Sequence, residues 1–236
     1  MTGLLKRFVA VFTLVSLELA VLAGVAIVSV LVFLLMAKTV FIDQNNALDQ
    51  AAFAFAEAHT NNNLTRFMRF ITFFASRDFL IIGSVVLSLF FFFIKKHRWY
   101  SVKIPVIAAG SSLLNQGMKL WFDRPRPETA FYEQPGFSFP SGHAMIGGAF
   151  YGLLIYLAWT SLPHKLWRWF LVLILSIGVL LIGSSRIYLH VHYASDVIAG
   201  WSAGFVFLII CLLIMRQLEP KYARKAHEVL DQDRTA

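Results

Sequence analysis

Long apolar blocks dominate this chain. Six stretches, near 17–37, 79–95, 102–121, 142–160, 166–184 and 195–215, are apolar over about the 20 residues a helix needs to cross some 30 Å of hydrocarbon. Backbone N–H and C=O groups find no water there, so each stretch is expected to be a helix. The fifth is the clearest, running from Phe170 to Gly183 without a charge. The third is the weakest, because it carries Asn115, Gln116 and Lys119. Polar groups at that depth usually face the protein interior or a site. Residues 41–59 mix alanine and phenylalanine with Asp43, Asp49 and Glu57, and Asn61-Asn62-Asn63 makes a break. From Leu64 to Phe74, Arg66 and Arg69 then fall among Phe67, Met68, Phe70 and Ile71. That pattern predicts one or two amphipathic helices lying at the membrane surface. A seventh, poorly hydrophobic span is the alternative, and it would reverse the charge assignment below. The expected fold is all-α: a polytopic bundle of six transmembrane helices with a short amphipathic extracytoplasmic helical segment. It forms one domain over 1–236 with a charged tail at 219–236.

Composition supports the bilayer as solvent. Hydrophobic residues make up 58% of the chain and charged residues 14%, against roughly 45–50% and about 25% in globular proteins. The net charge of +8 reflects loops rich in Lys and Arg rather than nucleic-acid binding. Lys6, Arg7, Lys95, Lys96, Arg98, Lys103, Lys165, Arg168, Arg216, Lys221, Arg224, Lys225 and Arg234 fall on one side of the six-span layout, thirteen against eight on the other. The positive-inside rule then places both termini in the cytoplasm and the loops at 38–78, 122–141 and 185–194 outside. The apolar run after Lys6 and Arg7 continues to Ala37, too long for a signal-peptide core, and reads as an uncleaved anchor. Cys211 stands alone, which excludes an intrachain disulfide and a cysteine-based metal site.

Three clusters at the ends of these stretches carry the chemistry, and all fall on the predicted outer face. The first runs from Lys119 through Arg124 to Arg126-Pro127, the second is Pro140-Ser141-Gly142-His143, and the third is Ser185-Arg186 followed by His192 and Asp196. Lys119, Arg126 and Arg186 supply three cations, and guanidinium forks match phosphate oxygens two at a time. Ser141 is a good N-cap, so Gly142 and His143 are expected to open the fourth helix with free N–H groups aimed at an anion. Gly142 admits close approach of that anion to the backbone. His192 and Asp196 are four apart and would share a helical face. Asp196, near a helix start, can hold one imidazole nitrogen and leave the other as an attacking lone pair. His143 is then free to protonate a departing oxygen. Any one cluster alone has a bland reading, such as a snorkelling lysine or a turn into a helix. Together, in this order, they describe a phosphoryl cradle with a nucleophile and an acid.

The set resembles the type-2 phosphatidic acid phosphatase superfamily, whose pattern is Lys, six residues, Arg-Pro; then Pro-Ser-Gly-His; then Ser-Arg, five residues, His, three residues, Asp. The match is without substitution over 119–196. It implies a metal-independent phosphatase of the membrane-bound branch, with no cofactor. By motif position His192 is the nucleophile, His143 the acid and Asp196 the partner of His192. Lys119, Arg126, Ser141, Gly142 and Arg186 bind phosphate. The resemblance points to a bacterial inner-membrane enzyme acting through a phosphohistidine. Its substrate would be a lipid phosphate or diphosphate within the bilayer, with phosphatidylglycerophosphate, phosphatidic acid and undecaprenyl diphosphate the candidates. A lipid-linked phosphotransferase using the same site and a non-enzymatic lipid-binding protein are the competing classes. The superfamily's vanadate-dependent haloperoxidases are soluble, which six spans oppose.

Several neighbours stand apart. His190 occupies a position where many relatives have glycine; a catalytic role is disfavoured, and it is read as tuning entry to the site or sitting at its rim. A metal site from His190, His192 and Asp196 is disfavoured by three nearby cations. Arg124 is expected to pair with Asp123 or add to the phosphate field. Glu18 has no assigned role, and Phe90 to Phe93 read as lipid-facing bulk.

Overall fold

A computed structural model describes residues 3–94 and 98–219, with side chains from Leu19 onward. Lys6, Arg7, Lys95, Lys96 and the tail beyond Glu219, on which part of the charge assignment rests, lie outside the residues or side chains described, as does the side chain of Glu18. The described residues form eight helices and no strand: α1 (Gly3–Phe41), α2 (Ala47–Ala58), α3 (Asn62–Phe73), α4 (Arg77–Phe93), α5 (Tyr100–Phe122), α6 (Gly142–Ser161), α7 (Lys165–Tyr188) and α8 (Ala194–Leu218).

Six of these occupy the predicted apolar stretches. Four, the Leu19–Phe41 part of α1 with α6, α7 and α8, are long and apolar enough to cross a membrane. α4 has 17 residues, and it reaches that measure only together with α3, from which it bends by 43°. α5 is more polar, and the reason is partly visible in its packing. Lys103, Ser111 and Asn115 are buried inside the bundle, with Lys103 ion-paired to Glu219. Gln116 departs from the expectation and stays exposed.

The 41–74 segment forms two helices, α2 and α3. Asn61 caps α3, its side-chain oxygen accepting from the Leu64 amide at 2.9 Å, which explains the break in the asparagine run. Leu64, Met68 and Ile71 turn inward on α3 while Arg66, Phe67, Arg69 and Phe70 are exposed, the arrangement of a helix with one face on the protein. Tyr188 at the end of α7 ties this helix down through its hydroxyl, 2.9 Å from Thr65 Oγ1.

Close helix crossings position the site. A Cβ on Gly200 would lie 2.7 Å from the Ser141 carbonyl oxygen, and one on Gly204 would lie 2.4 Å from that of Met145. α8 can therefore approach the first turns of α6 only because these positions are glycine, as small residues allow in membrane bundles. The Ser141 amide donates to the Asp196 carbonyl at 3.0 Å, locking the two helix starts side by side. Asn115 on α5 donates to the Pro140 carbonyl at 3.2 Å. Phe33 and Phe41 of α1 pack with Phe122 and Phe139, fixing both ends of the 123–141 loop against the bundle.

Candidate active site

The helix ends that the crossings bring together carry the three sequence clusters. Lys119 is in the last turn of α5 and Arg186 in the last turn of α7. Gly142 and His143 open α6, and Asp196 lies in the first turn of α8. Arg126 comes from the loop after α5, and His192 from the 189–193 connection.

His192 and Asp196 meet, but not as a helical pair. His192 lies ahead of α8, whose cap is Tyr193, so the connection curls the ring back over the helix start. His192 Nδ1 is 3.4 Å from Asp196 Oδ2, and Ser138 sits between them. The Ser138 hydroxyl donates to Asp196 Oδ2 in a short hydrogen bond and lies 3.3 Å from His192 Nδ1. The Tyr193 amide donates to the same carboxylate oxygen at 3.0 Å. With Nδ1 facing the carboxylate, the proton belongs on that nitrogen, and Nε2 keeps its lone pair. Nε2 is 3.3 Å from Arg126 Nη1, a donor that suits an unprotonated nitrogen. Burial pushes the His192 pKa down to about 3; Asp196 opposes this, and Arg186 and Arg126 add to it. The ring is therefore neutral at ordinary pH.

The cations converge as the sequence implies. Arg186 is fully buried and donates to Thr72 Oγ1 (2.7 Å), Tyr132 Oη (2.6 Å) and Gln134 Oε1 (2.7 Å), and its Nε is left without a partner. Arg126 donates to the Gly136 and Val191 carbonyls, each at 2.9 Å, and to Gln134 Oε1 at 3.3 Å. Burial, and next the Arg186 charge, lower the Arg126 pKa, with Asp196 opposing them. Lys119 donates to the Phe137 carbonyl. Ser141 occupies the N-cap position of α6, but contrary to expectation its hydroxyl makes no capping bond. That oxygen is buried without a partner, alongside the free first-turn amides of α6.

Arg124 corrects one expectation. It does not pair with Asp123, which caps α5 in the left-handed region at φ 49°. Its guanidinium bridges two other carboxylates, Asp196 Oδ1 at 2.6 Å and Asp49 Oδ2 at 2.8 Å, and also donates to Ser195 Oγ at 2.8 Å. Burial opposes its charge, but Asp196 and Asp49 outweigh burial and raise its pKa. Asp49, on α2, also accepts from the Ser195 amide at 2.9 Å and from its hydroxyl at 2.8 Å. The Arg124 guanidinium carbon lies over the Tyr193 ring, 3.9 Å from its centroid.

His190 is buried rather than at a rim. It stacks on Phe53 with ring centroids 4.5 Å apart, and its Nδ1 is hydrogen-bonded to Thr129 at 2.9 Å. Burial lowers its pKa, with Glu57 opposing. Its φ of 55° is in the left-handed region, which glycine adopts without the strain a Cβ brings. His190 thus faces the α2 surface rather than joining His192 and Asp196. Among the described residues no group of His, Cys, Asp and Glu is placed to hold a metal.

Residues 100–220, which contain every one of these motif positions, match the PAP2 superfamily. The chain belongs to that superfamily. It is 30% identical over 185 residues to phosphatidylglycerophosphatase B of Bacillus subtilis, covering 76% of this chain and 89% of that protein. Against a putative undecaprenyl-diphosphatase of Escherichia coli the identity is 27% over 158 residues, 63% of this chain and 74% of the other. Its fold matches the crystal structure of a transmembrane PAP2 type phosphatidylglycerolphosphate phosphatase from Bacillus subtilis. The TM-score is 0.75 at 26% identity, with 83% of this chain and 98% of that chain covered. Aquifex aeolicus LpxE matches with a TM-score of 0.57 at 25% identity, over 70% of this chain and 95% of that one. This PAP2 chain is a membrane-bound, multi-pass phosphatase of lipid metabolism.

Ser138, Asp49 and Gln134 were not singled out from the sequence. Asp49 had a signal: with Phe53 and Ala56 it lies on the inward face of α2, where a lone acid needs a partner. Ser138 and Gln134 are loop residues with no periodicity to mark them.

Proposed function

We propose that this PAP2 phosphatase hydrolyses a lipid phosphate or diphosphate through a phosphohistidine on His192. The observation that carries the reading is the His192 ring itself, held at Nδ1 by Asp196 and Ser138 while Nε2 faces Arg126 in a cluster of cations. The substrate phosphoryl group is bound by Lys119, Arg126 and Arg186, the Ser141 hydroxyl and the first-turn amides of α6 at Gly142. His192 Nε2 attacks phosphorus, the bond to the lipid oxygen breaks, and His143 gives that oxygen its proton. Asp196 stabilises the positive charge that develops on the ring. In the second half a water gives its proton to His143 and attacks the phosphohistidine, the P–N bond breaks, and inorganic phosphate leaves. The three cations offset the charge on the transferring group, which is the work a divalent metal does in other phosphatases, so the reaction needs no metal.

The membrane arrangement belongs to the same proposal. α4 and α5 complete six spans, α4 bending from the surface helix α3, and residues 1–236 act as one unit. Both termini lie in the cytoplasm and the site faces outward. A lipid phosphate sits at the level of the helix ends that carry the motifs, with its chains still in hydrocarbon, so the substrate reaches His192 sideways past α3. Phosphatidylglycerophosphate is the first substrate to test, because the relative matched over 89% of its length is named for that activity. Phosphatidic acid and undecaprenyl diphosphate follow. The test is phosphate release by purified protein from a panel of these three lipids in detergent micelles. Release from none of them would reject the lipid reading.

A further inference from the structure

Two of the cradle's three cations share one side-chain partner. Gln134 Oε1 accepts from Arg186 Nη2 at 2.7 Å and from Arg126 Nη1 at 3.3 Å, the same nitrogen that lies 3.3 Å from His192 Nε2. Two guanidinium donors on one side-chain oxygen is the arrangement a phosphate oxygen takes. The donors also fix which amide atom points inward, since only the oxygen can accept. The same loop presents the Pro135 and Gly136 carbonyls to Arg126, the Phe137 carbonyl to Lys119 and the Tyr132 hydroxyl to Arg186. Gln134 is the member that reaches two of the cations by a side chain. It is half-buried, in a loop between exposed Glu133 and Pro135, and so can swing away at little cost to the bundle.

We propose that Gln134 is an affinity- and specificity-determining residue, an internal ligand that competes with phosphate for Arg126 and Arg186. The inference rests on reading the cradle as the phosphate site. A lipid phosphate must displace the amide oxygen, and the binding of its chains and headgroup offsets that cost. Inorganic phosphate has only the cradle, so it binds weakly and is expelled when Gln134 returns. The enzyme thereby selects phosphates carried on lipids and resists inhibition by its own product.

The test uses the full-length enzyme in detergent and measures inhibition of nitrophenyl phosphate hydrolysis by inorganic phosphate and by orthovanadate. Gln134→Ala removes the competitor, and both inhibition constants should fall by roughly tenfold, the scale of one hydrogen bond to a charged group. Gln134→Glu places a full negative charge on the same two cations, and both constants should rise by about tenfold or more. Changes in opposite directions separate competition from a structural role, because damage to the loop would weaken both variants alike. Unchanged or weaker inhibition of Gln134→Ala, or tighter inhibition of Gln134→Glu, would overturn the proposal. Arg126→Ala tests the cradle separately. If it leaves the vanadate constant unchanged, the phosphate reading itself fails, whatever the Gln134 variants do.

Discussion

Arg124 offers a quantitative test of how the site is held. Its guanidinium spans Asp196 at 2.6 Å and Asp49 at 2.8 Å, and both carboxylates are buried. Arg124→Met keeps much of the side chain's bulk and its packing on Tyr193 but leaves two carboxylates facing each other without their cation. Breaking a buried ion pair from one side costs about 3–5 kcal/mol, and the 12% exposure of the Arg124 side chain argues for the lower end, about 3 kcal/mol of stability. Asp49→Asn can still accept from the Ser195 amide and loses mainly one charge-assisted bond, worth about 1.5–3 kcal/mol. The two losses should not add. With Asp49 neutral, removing Arg124 strands one carboxylate rather than two, so the double variant should be about 1–3 kcal/mol more stable than the sum of the singles implies. Catalysis should respond to Arg124 itself. Freed at Oδ1, Asp196 holds the His192 ring less firmly, and kcat of Arg124→Met should fall about 10- to 100-fold with little change in KM, equivalent to about 1.4–2.7 kcal/mol. The assays are thermal unfolding in detergent for stability, and steady-state hydrolysis with single-turnover phosphoenzyme formation for the chemistry. Additive stability losses would refute the coupling. An unchanged kcat in Arg124→Met would show that Asp196 is held adequately by Ser138 and Tyr193 alone.

Three further outcomes follow from the site. Rapid quench with labelled substrate should trap an acid-labile, base-stable phosphoenzyme that His192→Ala abolishes, and near-normal turnover by that variant would exclude His192 as nucleophile. His143→Ala should impair lipid hydrolysis far more than hydrolysis of nitrophenyl phosphate, whose leaving group needs no proton, and equal losses on both substrates would remove its role as acid. The His192 pKa is depressed from 6.5 to about 3 in the folded protein, so the stability gained by keeping the ring neutral is complete above pH 6.5 and is lost as pH falls toward 3. Thermal unfolding of the wild type should therefore drop relative to His192→Asn across that window, and parallel curves would contradict the burial argument.

What could be read from the sequence was what repeats or what is chemically conspicuous. Helix positions were legible because hydrocarbon leaves an apolar run no other structure. The motif residues were legible because cations, histidines and an acid at helix ends need a reason to be there. The number of spans was less so: α5 buries Lys103 and Asn115 against neighbouring helices, and a composition that suits the bundle interior weakens the signal of a span. The His192–Asp196 pair was found through the wrong geometry, since four-residue spacing suggested a helix face whereas a connection curled over a helix start brings the two together. Asp49 and Gln134 were hidden for a different reason. Each acts across a long interval of chain, Asp49 on Ser195 and Gln134 on Arg186, and no local pattern records that kind of contact. Both come from segments outside the three motifs: Asp49 on α2 reaches Ser195 directly and Asp196 through Arg124, and Gln134 accepts from Arg126 and Arg186. Motifs shared across a superfamily specify the chemistry of phosphoryl transfer. Segments such as α2 and the 132–138 loop lie outside those motifs and reach the same residues through Asp49, Gln134 and Ser138. Differences in affinity and substrate choice among enzymes with the same motifs therefore have a physical place to arise, in the partners these segments offer to Asp196, Arg126 and Arg186.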